Sequence, residues 1–233
     1  MIVFDGVSID SVAPVMIEDI KVSPIAYNPV VRPRAIRFGS EFVRMGGGER
    51  TVVITFAILE KNKVLRQEAF RNLSLWAKTD AEYILELPQD PLRYLQCVCT
   101  GKPEPSTRAW WENKLRVTFT CYSNPYWTSK GEKSVACGTA FFAQGDAPPL
   151  MQVRRTLSSA ASNQSYGDGT HTMTFTTIPA GALVIDANAQ TAVVGNNSIM
   201  QYYQPSGAFI VPKTGTTKIT GTGTVYYRER WEG

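Results

Sequence analysis

The sequence is poor in the residues that hydrolytic and metal chemistry need. Histidine occurs once, at His171, inside the alternating run His171-Thr-Met-Thr-Phe-Thr-Thr, and no Gly-x-Ser-x-Gly elbow presents a nucleophile to it. The four cysteines, Cys97, Cys99, Cys121 and Cys137, lack zinc spacing: one residue separates Cys97 from Cys99, where zinc knuckles use roughly two to four. On a strand those two would share a face with Leu95, which makes them small core residues. Apolar runs such as Val52–Ile54 and Phe56–Leu59 are far shorter than the roughly 20 residues a membrane-spanning helix needs. The first ten residues, MIVFDGVSID, have no basic stretch and include Asp5, so no signal peptide is expected. The chain is then expected to be made in the cytoplasm and to stay there unless a larger assembly carries it out.

Strong charge of either sign is also missing. The net charge is +4, with 17 basic and 14 acidic residues through Lys130 and 7 and 6 after it, too mild for a dedicated nucleic-acid binder. The densest basic patch, Arg32, Arg34, Arg37 and Arg44, reads as a solvated loop or edge strand, and in a sharper sense as a surface facing another subunit or a polyanion. The glycine triplet Gly46–Gly48 is followed by neither Gly-Lys-Ser nor Gly-Lys-Thr, so it is a weak phosphate signal. Asp168 and Asp186 are the best carboxylates of the C-terminal half for acid–base work, but each lies beside a turn or strand end, where Asp serves turn geometry. No catalytic, cofactor-binding or metal-ligating residue is assigned, and an enzyme is not expected.

What is present is one amphipathic helix in a chain of strands. In Lys63–Lys78, Leu65, Ala69, Leu73 and Trp76 form a stripe widened by Phe70 and Ala77, and Asn62 is placed to cap it. A lone helix with a wide apolar face must lie on a sheet. Thr51–Leu59 puts Val52, Ile54, Phe56 and Ile58 on one face; Tyr83–Leu87 and Arg93–Thr100 form a hairpin; Lys114–Tyr122 turns Leu115, Val117, Phe119 and Cys121 inward. Val15–Val22 is a further strand. Between it and Thr51, residues 32–50 read as a long hairpin or loop, with β-like pieces at Ala35–Phe38 and Glu41–Met45, that a partner would order.

Beyond Ser123-Asn124-Pro125 the helical signal ends and Gly, Thr, Ser and Asn rise, so a domain boundary falls between about Asn124 and Gly138. The expected domains are 1–130, containing helix 63–78, and 131–233. The second reads as a β-sandwich, with strands at Leu150–Leu157, His171–Thr177, Leu183–Ala187, Ala192–Val194, Phe209–Val211, Lys218–Gly221 and Thr224–Arg230. Among its aromatics, Tyr166, Tyr202, Tyr203, Tyr226, Tyr227 and Trp231 could stack on sugars or protein, though at least half are expected to be core and rim packing. Trp110-Trp111 puts one indole on each face of a strand, so Trp110 is a candidate subunit contact.

Taken in order, these parts resemble the distal tail proteins of long-tailed, flexible-tailed phages (siphophages) and related phage-like particles. The resemblance is carried by the glycine-rich loop before Arg50–Leu59, the helix ending Leu75-Trp76-Ala77, and the hairpin Tyr83–Tyr94 with Pro88-Gln89-Asp90-Pro91 at its turn. Leu115–Cys121 running into Asn124-Pro125-Tyr126-Trp127 adds to it, as do Ala182–Asp186, Phe209–Pro212 and the ending Val225–Trp231. The sequence departs from the family where the expected Asn-Gly turn appears as Gly195-Asn196 and across residues 138–170.

The resemblance implies a mainly β fold: an N-terminal domain like a tail-tube subunit, with one packed helix, then a C-terminal sandwich like galectins or carbohydrate-binding modules. It implies a structural virion protein of the tail tip or baseplate hub, without cofactor. Six copies would form a ring joining the tail tube to host-recognition proteins and leaving a channel for DNA. Implied partners are other copies of the chain, the tail tube protein, the tail-tip or tail-fibre hub protein, the tape measure protein and a receptor-binding protein, with DNA only in passage and no membrane insertion. A ring needs two different patches on each subunit. The loop Arg37–Arg50 (Arg37, Phe38, Phe42, Arg44, Met45), with Trp110, and the outer face of the helix are the expected patches. The alternative is a free-standing lectin-like module using Tyr202, Tyr203 or Trp231.

Overall fold

A computed structural model describes residues 1–33, 40–101, 104–105, 114–204 and 207–232, with side chains left out of the description at 28–33, 40–47 and 104–105. Two compact units emerge, Met1–Trp127 with the C-terminal pair Glu232–Gly233, and Thr128–Trp231.

The first unit opens with β1 (Val3–Phe4) and β2 (Val7–Ser8), turned at Asp5-Gly6 with both residues at positive φ. Then come β3 (Val15–Val22), β4 (Ala26–Pro33), β5 (Ser40–Ile58), α1 (Lys63–Trp76), β6 (Tyr83–Glu86), β7 (Arg93–Cys99), β8 (Glu104–Pro105) and β9 (Lys114–Cys121). The sheet runs β3-β5-β9-β7-β6-β1-β2, every pair antiparallel, and β8 adds to β9. Its inward face is the one the alternation predicts. Val52, Ile54, Phe56, Leu115, Val117, Phe119 and Cys121 are fully buried, and Ile58 nearly so.

Trp76 joins helix to sheet. Its indole meets Phe4, Phe56 and Phe119 edge-on, with centroids 5.7, 6.4 and 6.1 Å away, and its Nε1–H donates to the Val7 carbonyl at 3.1 Å. Aromatic edges against faces are a favourable arrangement, and the Val7 carbonyl pairs the polar edge of the indole. Asn62 caps α1 as expected, its side chain accepting from Val64 N at 2.9 Å and Leu65 N at 3.5 Å. The apolar stripe starts later than its periodicity suggests. Ala69, Leu73 and Ala77 are buried, but Leu65 is half-exposed, in the exposed first turn of α1.

Within residues 32–50 the hairpin reading holds and the β-like piece Glu41–Met45 is part of a strand, but the expected strand start at Thr51 is corrected. Strand β5 starts at Ser40 and continues through the glycine triplet, paired along β4 from Ala26 with Glu49 to Pro33 with Ser40. Gly48 does not use a left-handed conformation. A Cβ there would lie 2.3 Å from Ile25 Cγ2 and 3.1 Å from Tyr27 Cδ1, so glycine serves close approach to the preceding segment. The piece expected at Ala35–Phe38 lies outside the described residues.

β10 (Trp127–Ser129) leads into the second unit, whose strands are β11 (Lys133–Ala136), β12 (Ala140–Ala143), β13 (Ala147–Leu157), β14 (Ala161–Gly167), β15 (Thr172–Ile178), β16 (Gly181–Asp186), β17 (Thr191–Val194), β18 (Asn197–Ser198), β19 (Gly215–Lys218) and β20 (Thr224–Trp231). One layer is β18-β17-β16-β13-β20-β11, again antiparallel. The pairs β12-β19 and β14-β15 make the opposing layer, joined where Gly167 and Thr220 exchange backbone hydrogen bonds. Met151, Val153, Met173, Phe175, Ile185, Val225 and their neighbours fill the space between.

Phe209–Val211 is not a strand. Ile210 is fully buried, but Ala208 N donates to the Thr172 carbonyl and Val211 N to the Asp168 carboxylate, so side chain and backbone together hold an irregular segment. Strand β14, ASNQSYG, was not expected, since its polar composition hides the alternation; it is held by pairing with β15. The segment expected as strand Lys218–Gly221 ends β19 instead, with Gly221 at positive φ.

Candidate functional site

The base of the β4–β5 arm is built round an arginine. Arg50, at the point where β5 leaves β4 and joins the sheet, is 1% exposed, and its Nη2 donates to the Glu232 carbonyl. The Glu232 carboxylate accepts the Tyr27 phenol at 2.6 Å. Burial, and then that bond, raise the Tyr27 hydroxyl above the usual phenol range. Ser23 completes the junction, its backbone N–H and side-chain hydroxyl both tied to Thr51: Ser23 N donates to Thr51 O at 2.9 Å, and Thr51 N to Ser23 Oγ at 2.9 Å. Beside these residues is a hollow of about 460 Å³ reached by Asp90 and Trp127.

Of the residues expected at a subunit contact, Phe42, Arg44 and Met45 have their backbones on β5, opposite Val31, Val30 and Pro29. Their side chains, and Arg37, Phe38 and Trp110 altogether, lie outside the described residues. The outer side of α1 exposes Val64 (70%) and Leu75 (59%). Where α1 ends, Phe70, Ser74, Ala77 and Lys78 face Cys99–Gly101 across a hollow of about 420 Å³.

In the second unit both candidate acids are occupied by turns. Asp168 Oδ1 accepts from Thr170 N and His171 N, both at 2.8 Å; Oδ2 accepts from Val211 N at 2.8 Å and lies 3.0 Å from His171 Nδ1. Burial works against the ionised form of Asp168, but the N–H donors of Val211, His171 and Thr170 outweigh it and hold the carboxyl far below its ordinary value. Asp186 accepts from Asn188 N at 3.0 Å, Ala189 N at 2.9 Å and Gln152 Nε2 at 2.9 Å. A carboxylate so held serves the fold, not proton transfer to a substrate.

The aromatics divide. Tyr166 and Tyr227 are core, and Arg154 lies over the Tyr226 ring at 4.3 Å. Tyr203 packs against Phe175 and Phe209, and its hydroxyl donates to the Gly207 carbonyl. Tyr202 ends the 3-10 turn Met200–Tyr202, half-buried, and Trp231 is half-exposed at the end of β20. The Tyr27–Glu232–Arg50 group was missed in the sequence, where nothing links positions so far apart.

These features define a mainly β protein of two units, a helix-bearing antiparallel sheet and a β-sandwich, which is the fold of a phage distal tail protein. No family model matches the chain, and no curated protein does. Among solved structures it is similar to the SPP1 Dit protein (gp 19.1), described as a paradigm of the hub adsorption apparatus in phages infecting Gram-positive bacteria. The TM-score is 0.74 at 14% identity, over 98% of each chain. The phage p2 baseplate in its activated conformation is a weaker likeness: TM-scores are 0.46 with strontium and 0.47 with calcium, at 8% identity over 94% of this chain and 91% of that one.

Proposed function

We propose that this chain is a distal tail protein, a non-enzymatic structural component of the tail tip of a siphophage. The observation that carries the reading is the likeness to SPP1 Dit over 98% of both chains, which takes in both units in the same order. The occupied state of Asp168 and Asp186 supports a structural role.

In this reading six copies close into a ring through the first domain, residues 1–130, and the galectin-like second domain, 131–233, holds host-recognition proteins. The tail tube, the tail-fibre hub and the tape measure protein are its other neighbours, and DNA only passes through. The ring requires two unlike patches. The β4–β5 arm with Phe42, Arg44 and Met45 supplies one, and the outer face of α1 the other; Val64 and Leu75, exposed on that helix, support the second.

Native mass spectrometry with negative-stain imaging tests this. A six-fold ring with an open centre is the expected result, and deletion of residues 34–47 should return monomers. A ring that survives the deletion removes the arm from the interface, and a chain that stays monomeric with purified tail tube protein overturns the reading.

A further inference from the structure

The sheet of the first unit has a seam. β5 and β9 pair continuously, from Arg50 with Cys121 to Ala57 with Lys114, whereas β7 meets β9 at Val98 with Thr120 and Cys99 with Phe119. One step further in that register, Cys97 on β7 stands opposite Cys121 on β9. Both side chains are fully buried, and the two thiols hydrogen-bond to each other. The backbone shows which kind of pair this is. Thr100 N donates across the seam to Thr118 O at 3.0 Å, while Cys99 N turns the other way, to Thr79 Oγ1 at 3.1 Å. Hydrogen-bonded and non-hydrogen-bonded pairs alternate along an antiparallel ladder. Cys97 therefore turns its backbone groups toward β6, where it is paired with Tyr83, and faces Cys121 as a non-hydrogen-bonded pair. Such pairs bring their side chains closest, with Cα atoms about 4.5 Å apart. That separation lies within the roughly 4.4–6.8 Å that a disulfide spans.

We propose that Cys97 and Cys121 are a disulfide site, whose oxidation staples β7 to β9 at the seam of the sheet. The oxidant is a low-molecular-weight disulfide. One cysteine thiolate attacks it and expels a small thiol; the second cysteine then attacks the mixed disulfide and expels the other half. The protein loses two hydrogens and gains one S–S bond, and the two electrons and two protons end on the two released thiols. The closed sheet blocks this exchange, because both thiols are buried and their thiolate form is disfavoured there. The bond forms while β7 docks on β9 during folding, or when the seam opens, and burial then shields it from reductant. Cys99 is kept out of the bond: its thiol donates to the Gly101 carbonyl at 3.0 Å, and across the seam it faces Phe119. Cys137 belongs to the other unit. The staple rests on the sheet alone, so failure of ring closure leaves it standing.

The test is refolding of the full-length chain from urea with oxidised glutathione, beside a sample refolded with reduced glutathione. Prolonged incubation of the native chain in the oxidised buffer is run in parallel. Free thiols are alkylated, and the unreduced digest is mapped by mass spectrometry. The expected product has one link, Cys97 to Cys121, with Cys99 and Cys137 alkylated, and it forms more slowly from the native chain. Cys97→Ser should abolish the link. Cys99→Ala with Cys137→Ala, which spares the buried pair, should keep it, and serves where Cys97→Ser perturbs folding. The oxidised first unit should melt about 5–10 °C above the reduced one, as expected for closing a loop of this length. Four free thiols under both oxidising treatments, a statistical mixture of links, or Cys97 joined to Cys99 or Cys137 overturns the proposal. A Cys97–Cys121 link that lowers the melting temperature does the same, since a strained bond is no staple.

Discussion

The Tyr27 phenol donates to the Glu232 carboxylate across 2.6 Å, joining residues 205 positions apart in the chain. Tyr27 stands in β4 at the root of the arm, and Glu232 also presents its carbonyl to the buried Arg50 on β5. The first unit is therefore closed by the last described residue of the chain, and the arm proposed to meet a neighbouring subunit is anchored there.

Tyr27→Phe removes the bond and keeps the ring, so stability should fall by about 1 kcal/mol or less, the usual worth of one hydrogen bond near solvent. The raised phenol sets the sign with pH. A group whose folded pKa exceeds its unfolded value, about 10 for tyrosine, contributes fully below that value and is lost as pH rises through the folded one. Titration of phenolate absorbance should lose one late-ionising tyrosine in Tyr27→Phe. Identical titrations would remove the contact. Hydrogen exchange should quicken at the root of β4 and β5 before it does in β9.

Asp168 carries a second prediction. Its carboxylate organises the Asp168–His171 turn and the Val211 segment at once, so Asp168→Asn replaces an ionised acceptor with a weaker one. The loss should be about 2 kcal/mol, within the range for hydrogen bonds to charged groups. The folded pKa is lowered, so the contribution is present above the unfolded carboxyl value of about 3.9 and is lost as pH falls through the lower folded value. Acid unfolding of the wild type followed by near-UV circular dichroism should steepen below about pH 4, and the variant should lose less over that window. Parallel acid curves would mean that Asp168 is not ionised in these bonds.

Asn62→Ala tests the helix. The side chain satisfies two of the free N–H groups at the start of α1, and its removal should cost about 1 kcal/mol. Asn62→Asp should hold or raise stability, because a negative charge suits that end of a helix. Thermal melts of the three proteins decide it, and an unchanged melting temperature for Asn62→Ala would show that packing of Leu73 and Trp76 alone fixes the helix start.

These elements also show what could be read from the sequence. Periodicity located α1 and the inward faces of β5 and β9, because there a single buried face writes its pattern into neighbouring residues. It overstated Leu65, since periodicity marks the face of a helix and not how much of its length is covered. It stopped β5 at the glycines, because a strand supported by a partner can pass through residues that disfavour strands alone. It could not find β14, held by pairing and not by its own alternation, nor separate Tyr202, half-buried at a turn, from Tyr203, packed on Phe175 and Phe209. The Tyr27–Glu232 contact depends on how the whole chain folds, and no local pattern announces it.

The four thiols give the last prediction, because their burial differs while their sequence context does not. Cys97 and Cys121 are fully buried, and the Cys121 thiol beside it, together with burial, pushes the Cys97 thiol far above its ordinary value. Cys99 and Cys137 are half-buried, and burial raises both less severely. The thiolate is the reactive form, so every one of these shifts slows attack. A thiol reagent at neutral pH should modify Cys99 and Cys137 slowly and leave Cys97 and Cys121 untouched until denaturant is added, when all four react. Mass spectrometry of the labelled peptides reads the order directly. Early modification of Cys97 or Cys121 in the native protein would mean that the β7–β9 contact opens, and with it the sheet on which α1 rests.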